Sequence, residues 1–212
     1  IPHLWCPEKT ASAGRDRWFA IDAREPHEKE LLALFQRSFG HAMSSAEWRW
    51  KYSLSLSPGT VVFEGDNVVA FNGGMPRKAL FDGKETTIAH IGDSMVSPES
   101  RGILTRKGPF YLSVQHFHEN HVGPDKTYSL CFGFPNARHA KLGIKQGLYC
   151  KMDEVIQASW LPATQQNSDL TYRALTLDDT ALVNDAWRQM QQDLDQCVIG
   201  YRDFSWIKHR YL

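Results

Sequence analysis

Apolar and polar positions divide the first half of the chain into a helix and a set of strands. In HEKELLALFQRSFG apolar side chains recur three and four residues apart, which predicts a first helix that Gly40 ends. Three runs rich in β-branched residues follow: GTVVFE, NVVAFNGGMPRKALF and ETTIAHIGDSMV. Because the turn sequences Gly65-Asp66-Asn67 and Asp82-Gly83 separate these runs, they predict an antiparallel meander.

The pattern of the middle region predicts a crossover between parallel strands. The stretch SPESRGILTRKG reads as a loop, and the helix after it has an apolar side formed by Phe110, Leu112, Val114 and Phe117. TYSLCFGF then predicts a buried strand. Strand, loop, helix and strand form a right-handed βαβ crossover, so this strand is predicted to be parallel to the last strand of the meander. The fold class that these elements predict is α/β (α+β), with a mixed sheet.

A corner and a second helix follow this buried strand. Asn136 can cap a helix over about 137–146, and Gly147 supplies the left-handed residue that ends it. LYCKMDEVIQAS then predicts a returning strand. The stretch CFGFPNARHAKLGIKQGLY therefore reads as strand, corner, helix and strand.

The C-terminal part predicts a separate unit. LPATQQNSD reads as a linker, and YRALTLDDTALVNDAWRQM as a strand and a helix. The final stretch GYRDFSWIKHRYL is similar to SSAEWRWKY, which suggests the start of a second, related lobe. The alternative is a C-terminal helix that packs on the first lobe. We expect a first domain over 1–160, with its core at about 28–158, and an extension over 161–212.

Composition and charge limit the classes of function. Twenty-four basic residues balance 24 acidic ones, so no global field favours a nucleic-acid or membrane partner. The four cysteines lack CxxC spacing, and no apolar run approaches the ~20 residues of a membrane span. The opening IPHLWCPEKT lacks the regions of a signal peptide. These observations predict a cytoplasmic protein with reduced thiols.

A local basic set accompanies the loop before the predicted crossover helix and the corner at Asn136. Its members are Arg101, Arg106, Lys107, Arg138, Lys141 and Lys145. The end of a strand followed by a helix N-terminus favours a negatively charged ligand, so phosphate is a candidate partner. The alternative is that these side chains form ordinary solvated helix faces.

The order of these elements, with DSMVSPESRG and FGFPNARHAKLGIKQGLY, resembles the GNAT superfamily of acetyl-CoA-dependent N-acyltransferases. The resemblance implies a mixed sheet in which two parallel strands splay apart around acetyl-CoA. It also implies roles in cofactor binding. Met95 and Val96 would offer backbone groups to the pantetheine arm, and Asn136 would lie beside that arm. The backbone amides that would face the pyrophosphate are those of Arg101, Gly102, Ile103, Leu104 and Thr105.

Two departures from the family pattern affect these expectations. Leu104 and Arg106 stand where the family's phosphate loop carries small residues, so either the loop is shorter, with Gly102 in the later glycine's role, or phosphate binding is altered. The family's general-acid tyrosine, seven residues after the asparagine, is Gly143 here. A glycine within a helix suggests the close approach of another group.

Three residues are candidates for the missing acid and for the base. Asp93 shares a strand with Met95 and is a candidate base, although a buried salt bridge would equally account for it. His139 and Tyr149 flank the predicted helix and could reach the cleft, or could be a surface histidine and a core tyrosine. Cys131 reads as a core residue, because the sequence places no basic partner beside it.

The dense histidines of HFHENH do not predict a metal site. His118 and His121 share a helix face, but His116 and His118 point apart, so no metal is expected.

The function predicted is acetyl transfer from acetyl-CoA to an amine by direct attack, without a covalent enzyme intermediate. The alternatives are a non-catalytic module that binds acyl-CoA or a protein, and transfer to a hydroxyl or thiol. The expected partners are a CoA thioester and an amine acceptor, with a homodimer or a missing second lobe also possible. Trp48, Trp50 and Tyr52, with NGGMPRK, mark the expected acceptor region, although these aromatic residues are read first as core or lid packing.

Overall fold

A computed structural model gives the structure of the protein and describes residues 17–52, 59–155, 157, 159 and 173–211. Its strands are β1 (Phe19–Asp22), β2 (Gly59–Glu64), β3 (Asn67–Phe81), β4 (Lys84–Val96), β5 (Cys131–Phe132) and β6 (Val198–Gly200). Its α-helices are α1 (Glu28–Phe39), α2 (Ser45–Lys51), α3 (Pro109–His121), α4 (Ala137–Gln146), α5 (Thr180–Asp193) and α6 (Phe204–Tyr211).

The strands form one mixed sheet in the order β1-β2-β3-β4-β5, with β6 added to the far end of β3. Neighbours from β1 to β4 are antiparallel, whereas β4 and β5 are parallel and are joined through α3. The predicted meander, the crossover and the mixed α/β fold class are therefore confirmed. The turn between β3 and β4 needs only two residues because Asp82 and Gly83 adopt positive φ angles of 48° and 69°.

Helices cover both faces of the sheet. On one face, α1 and α2 bury Leu31, Leu34, Trp48 and Tyr52 against Phe71. On the other face, α3 buries Phe117 in a cluster with Ala89 and Tyr128. The core therefore consists of two layers, one on each side of β3 and β4.

Two adjacent glycines in the middle of β3 allow aromatic rings to approach the strand from both faces. A Cβ atom at Gly73 would lie 2.4 Å from the Tyr52 hydroxyl oxygen, and one at Gly74 would lie 2.3 Å from Phe117 Cζ. Real Cβ atoms do not approach so closely. The NGG sequence therefore permits the packing of α2 and α3 on opposite sides of one strand.

Trp48, Trp50 and Tyr52 would share one face of a strand, but the chain here forms the helix α2, which places Trp50 on a different side from the other two. Trp48 and Tyr52, four residues apart, are buried, whereas Trp50 is 45% exposed. The interpretation as core packing is confirmed for the two buried residues. Trp50 remains on the surface, where its ring contacts α6.

Several predicted boundaries were wrong. TYSLCFGF contributes only the two residues of β5, and residues 148–155 and 173–176 form no strand. Residues 151–155 carry three charged side chains and are exposed, so this segment has no buried face, and it has no sheet neighbour among the described residues. The short strands β1 and β6 were not predicted, because their few residues carry no alternation that the sequence alone would reveal.

The C-terminal residues pack on the first sheet. β6 pairs with β3 through Ala79–Gly200, Leu80–Ile199 and Phe81–Val198. Leu80 and Ile199 also form a buried cluster with Trp187 of α5. These contacts favour the packed-helix alternative, while the predicted linker LPATQQNSD lies outside the described residues. The division at residue 160, and the second lobe or homodimer, stay predictions.

Candidate functional site

The edge of β4 that faces β5 is open in its C-terminal part, beyond Ile91. Pairing between these strands is limited to Ala89–Cys131 and His90–Phe132. Gly133 still lies against β4, since a Cβ atom there would be 3.3 Å from the Ile91 carbonyl oxygen. Residues 134–136 are exposed, and no described strand continues along β4 beyond this point. An extended ligand with amide groups could bind to such an edge as another strand would.

A β-bulge lies on β4 beside this opening. The register between β3 and β4 shifts between Phe71 and Gly73, so that Asp93 and Ser94 together face Asn72. Asp93 adopts φ +50°, a left-handed conformation that aspartate tolerates better than most residues. Because a bulge turns a side chain away from regular alternation, it sets the direction of the Asp93 carboxylate.

Residues of α2 and its C-terminal end hold the Asp93 carboxylate. Lys51 Nζ lies 3.0 Å from Oδ2 and 3.3 Å from Oδ1, and the Tyr52 hydroxyl donates to Oδ2 at 2.7 Å. Burial and the charge of Asp93 raise the pKa of Tyr52 well above its ordinary value, so the hydroxyl keeps its proton. The salt bridge that the sequence left open as an alternative is present, and sequence reasoning missed both partners.

The backbone groups of Met95 and Val96 point in different directions. The Ser97 N–H donates to the Val69 carbonyl at 2.8 Å, so alternation along the antiparallel ladder directs the Met95 groups toward β3. The Val96 groups then lie on the open side of β4. The Val96 carbonyl accepts from Arg101 Nε at 3.1 Å, which leaves the Val96 N–H for a ligand. Of the two residues predicted to contact a pantetheine arm, Val96 is better placed.

The loop between β4 and α3 presents a row of amide groups. The N–H groups of residues 102–106 make no hydrogen bond with any described residue. Gly102 begins this row with φ +92°, and α3 begins immediately after Gly108. Consecutive free amides before a helix N-terminus form a site suited to phosphate. The side chains of Leu104 and Arg106 are exposed and leave these amides open.

Side chains stabilise the loop from both sides. Arg101 donates to the carbonyl oxygens of Val96 and, at 2.9 Å, of Ser38, so its guanidinium joins the loop to β4 and α1. Gln146 of α4 donates to the Leu104 carbonyl at 3.0 Å. Arg101 therefore supports the loop through its side chain, while the candidate phosphate groups are the backbone amides of Gly102, Ile103, Leu104 and Thr105.

Positive side chains lie on the loop and along α4. These exposed cations form no ion pair within the described residues: Arg106, Lys107, Arg138, Lys141 and Lys145. Their charge is thus available to a polyanionic ligand. A loop with free amides and a basic border suits a ligand that carries several phosphate groups.

Asn136 occupies the corner as predicted. Its Oδ1 accepts from the His139 N–H at 3.0 Å, which caps α4, and Gly147 ends that helix with φ +77°. Asn136 itself is exposed beside the segment where β5 diverges from β4. Its side-chain amide N–H groups remain available to a ligand in the opening.

His139 and Tyr149 lie together against the N-terminal end of α3. The Tyr149 hydroxyl and His139 Nε2 are 3.0 Å apart, and the His139 ring meets Phe110 edge to face at 4.9 Å. Burial raises the pKa of Tyr149 and lowers that of His139, so both side chains favour their neutral forms. The structure thus brings together two of the three candidate catalytic residues. Asp93 makes no direct contact with them.

The close neighbour that Gly143 suggests is Tyr149. A Cβ atom at position 143 would lie 2.1 Å from Tyr149 Cδ2, so the ring occupies the space that a side chain there would fill. A tyrosine therefore stands beside position 143, although it is supplied from beyond the end of α4.

The other candidate residues have partners within the protein. Cys131 Sγ lies 3.4 Å from His118 Nε2, a basic neighbour that the sequence did not reveal. Burial raises the pKa of Cys131 to about 11 and lowers that of His118 to about 4, so the pair is a neutral thiol and a neutral imidazole. This state is unsuited to a nucleophilic thiolate.

The histidines of HFHENH are used in contacts with a strand. His116 and His121 direct Nε2 to Asp22 Oδ1 of β1 at 3.1 and 2.7 Å. In the described ranges, no group of three or more histidine, cysteine or acidic side chains is arranged to hold a metal ion. Within the same ranges, no helix combines the length and apolar surface that crossing a bilayer requires.

Comparison with known proteins identifies a related domain. Residues 21–109 match a family model described as an acetyltransferase (GNAT) domain, which confirms the resemblance noted in the sequence. No curated protein matches the chain.

Solved structures similar to the chain include two that it spans only in part. One is a GCN5-related N-acetyltransferase from Kribbella flavida, 23% identical with a TM-score of 0.39, where the match covers 51% of this chain and 29% of that protein. Another is a probable N-acyltransferase from Enterococcus faecalis V583, 16% identical with a TM-score of 0.48, covering 61% and 32%. A third is an aminoglycoside acetyltransferase from an uncultured soil metagenomic sample, 18% identical with a TM-score of 0.49, covering 69% and 99%.

Proposed function

Since residues 21–109 match the model of a GNAT acetyltransferase domain, we propose that the chain transfers an acetyl group from acetyl-CoA to an amine. Acyl transfer is the general chemistry of this superfamily. The observation that carries the finer proposal is the open edge of β4 beside five free loop amides. These features together suit a ligand that has amide groups at one end and phosphates at the other.

The proposed binding residues follow the length of the ligand. The amides of 102–106 and the surrounding basic side chains would hold the phosphates, and Asn136 with the Val96 N–H would contact the pantetheine arm. Bound there, acetyl-CoA supplies an activated acyl thioester. The Met95 amide is directed toward β3, so we assign to Met95 a role in packing within the core rather than a hydrogen bond to the arm.

Two groups of this chain are suited to moving protons. Tyr149 is a proposed donor to the leaving thiolate, because its raised pKa keeps the hydroxyl protonated. His139, neutral and 3.0 Å away, can donate from Nε2 to the Tyr149 oxygen, which leaves the tyrosine proton directed away from the histidine. Asp93 is the proposed acceptor of the amine proton, directly or through a water molecule.

The cellular setting is part of the proposal. Cys131, Cys150 and Cys197 are free thiols, which supports a reducing cytoplasm. The expected partners are a CoA thioester and an amine.

The test is calorimetric titration of acetyl-CoA and of CoA into the full chain, followed by an assay of amine-dependent thiol release. We expect micromolar binding, about 8 kcal/mol, weakened by Arg101→Ala and Asn136→Ala. The control Arg188→Ala alters an exposed arginine that pairs with Asp185 on α5 and should bind normally. Absence of binding up to millimolar acetyl-CoA would reject the proposal. Binding without thiol release to any amine would instead identify a non-catalytic acyl-CoA module.

A further inference from the structure

Three arginines converge on the sheet face that carries α2. Arg77 lies on β3, Arg202 follows β6, and Arg210 lies on α6. The ladder between β3 and β6 pairs Ala79 with Gly200, and the Tyr201 N–H donates to the Lys78 carbonyl at 3.0 Å. Continuing this register by one position sets Arg202 opposite Arg77.

Aromatic rings alternate with the cations of this group. Arg202 Cζ lies 4.3 Å from the centre of the Trp206 ring, and Arg210 Cζ lies 5.5 Å from that of Trp50. Trp206 and Arg210 are four residues apart on α6 and therefore share a helix face. Rings held in this way orient the guanidinium groups without neutralising them.

None of these arginines has a carboxylate partner among the described residues, which distinguishes them from others in the protein. Arg17, Arg49, Arg173 and Arg188 each form an ion pair. By contrast, Arg77 donates only to the Pro76 carbonyl at 3.1 Å and, weakly, to Met75 Sδ at 3.8 Å.

The nearby acidic side chains are already engaged. Asp93 contacts Lys51, Glu85 accepts from Tyr201, and Asp203 Oδ1 accepts from the Trp206 N–H. Glu85 and Asp203 keep their negative charges because their donors are neutral, but the three arginines outnumber these two carboxylates.

The pKa shifts of two residues in this region indicate that the arginines lie close together. Burial, then the charges of Arg210 and Arg202, lower the pKa of Arg77. Burial, then Arg77 and Arg210, likewise lower the pKa of His90 on the neighbouring strand. The arginines are thus close enough to repel one another, and their field reaches the strand that carries Asp93.

The cluster lies within reach of the proposed site of transfer. Gly73 of β3 is opposite Gly92, next to Asp93, and Arg77 is four residues further along the same strand. This separation is about 13 Å between backbone positions, and the long arginine side chain can shorten it. One small molecule could therefore contact both ends.

We propose that the acceptor carries an anionic group as well as its amine, and that Arg77, Arg202 and Arg210 bind this carboxylate or phosphate. Guanidinium groups suit both anions, because their planar donors match two oxygen atoms at once. This inference rests on the proposed acetyl transfer and specifies its class of substrate.

The first test compares matched acceptors in the thiol-release assay. One arm uses 6-aminohexanoate and 6-aminohexanamide, and the other uses 2-aminoethyl phosphate and ethanolamine. We expect kcat/KM to be at least about tenfold higher for the anionic member of one pair, which also identifies the anion. Arg77→Gln should bring that ratio close to one, Arg77→Lys should retain part of it, and Arg188→Gln should leave it unchanged.

The outcomes separate this inference from the proposed function. Acetylation of amines with a ratio near one in both arms would overturn the inference and leave the function standing. If no amine is acetylated, tryptophan fluorescence during titration with inorganic phosphate and with glutarate decides the matter, since Trp50 and Trp206 lie in the cluster. A saturable change that Arg77→Gln abolishes supports anion binding, and its absence rejects it. Should Arg77→Gln fail to fold, the exposed Arg210→Gln replaces it.

Discussion

The ring of Tyr149 lies against the α-carbon of Gly143, so that a methyl group at position 143 would come within 2.1 Å of Tyr149 Cδ2. This contact joins the middle of α4 to the segment that follows it. It also directs the Tyr149 hydroxyl toward His139, 3.0 Å away.

Gly143→Ala should therefore destabilise the protein, although alanine favours helices over glycine by about 1 kcal/mol. We expect a net loss of about 1–3 kcal/mol in the free energy of unfolding, measured by urea denaturation, because the ring must move. Ile144→Ala, at an exposed neighbouring position, is the control. Tyr149→Ala should reduce the free energy of unfolding less in the Gly143→Ala variant than in the wild type, because it removes the clashing ring. Equal losses in the two backgrounds would contradict the proposed clash.

Tyr149→Phe tests the proton donor. Loss of the hydroxyl should lower kcat by about 100-fold while acetyl-CoA binding by calorimetry is retained. Tyr111→Phe is a matched control, since Tyr111 is buried in the same cluster. An unchanged kcat in the Tyr149 variant would exclude the hydroxyl as general acid. With the raised pKa of Tyr149, we expect no loss of wild-type rate from ionisation of this group up to pH ~10.

His118→Gln tests the buried imidazole beside Cys131. In the folded protein burial lowers the pKa of His118 to about 4, whereas an unfolded chain takes up this proton near pH 6.5. Between these values the unfolded state binds more protons, so stability falls as pH decreases, by about 3 kcal/mol in total. Denaturation from pH 4 to 6.5 should show a flatter dependence in His118→Gln than in the wild type. Asn120→Ala, exposed on the same helix, should keep the wild-type slope, and parallel curves for all three proteins would refute the assignment.

Lys51→Met tests the salt bridge at the bulge. The side chains of Lys51 and Asp93 are only 21% and 15% exposed, so removing the cation leaves a poorly solvated carboxylate. We expect a loss of about 2–4 kcal/mol in the free energy of unfolding. Arg188→Met is the matched control, because its pair with Asp185 is 69% and 56% exposed and should contribute less than about 1 kcal/mol.

A second substitution separates charge from packing at this position. Asp93→Asn combined with Lys51→Met should recover part of the lost stability, because no uncompensated charge remains. Equal losses in Lys51→Met and in the double variant would show that packing of the lysine stem accounts for the effect.

Local sequence patterns predicted an element correctly where neighbouring residues alone determine it. The apolar spacing of α1 ends at Gly40, and the capping of α4 by Asn136 and its end at Gly147 agree with the structure. The hairpins of the meander were equally readable, because turn residues stand between β-branched runs. β1 and β6 were missed because their pairing depends on partners 38 to 44 residues away or more than 100 residues away along the chain.

The candidate site was predictable only in part. The loop and the corner at Asn136 were found from sequence, as were Asp93, His139 and Tyr149 as individual candidates. Their partners were not: Lys51 and Tyr52 for Asp93, and the direct bond between His139 and Tyr149. Contacts between side chains on different elements leave no periodic trace in the sequence.

The sequence by itself determined the order of the main elements, the hairpins, the helix ends and the resemblance to GNAT domains, because each depends on neighbouring residues or on a motif. Only the tertiary structure decided which side chains meet. The bulge turned Asp93 toward α2, the limited pairing of β5 opened the edge of β4, and the ladder between β3 and β6 brought Arg202 close to Arg77. Each of these depends on strand register, and register is set by packing across the whole sheet rather than by the residues of one strand.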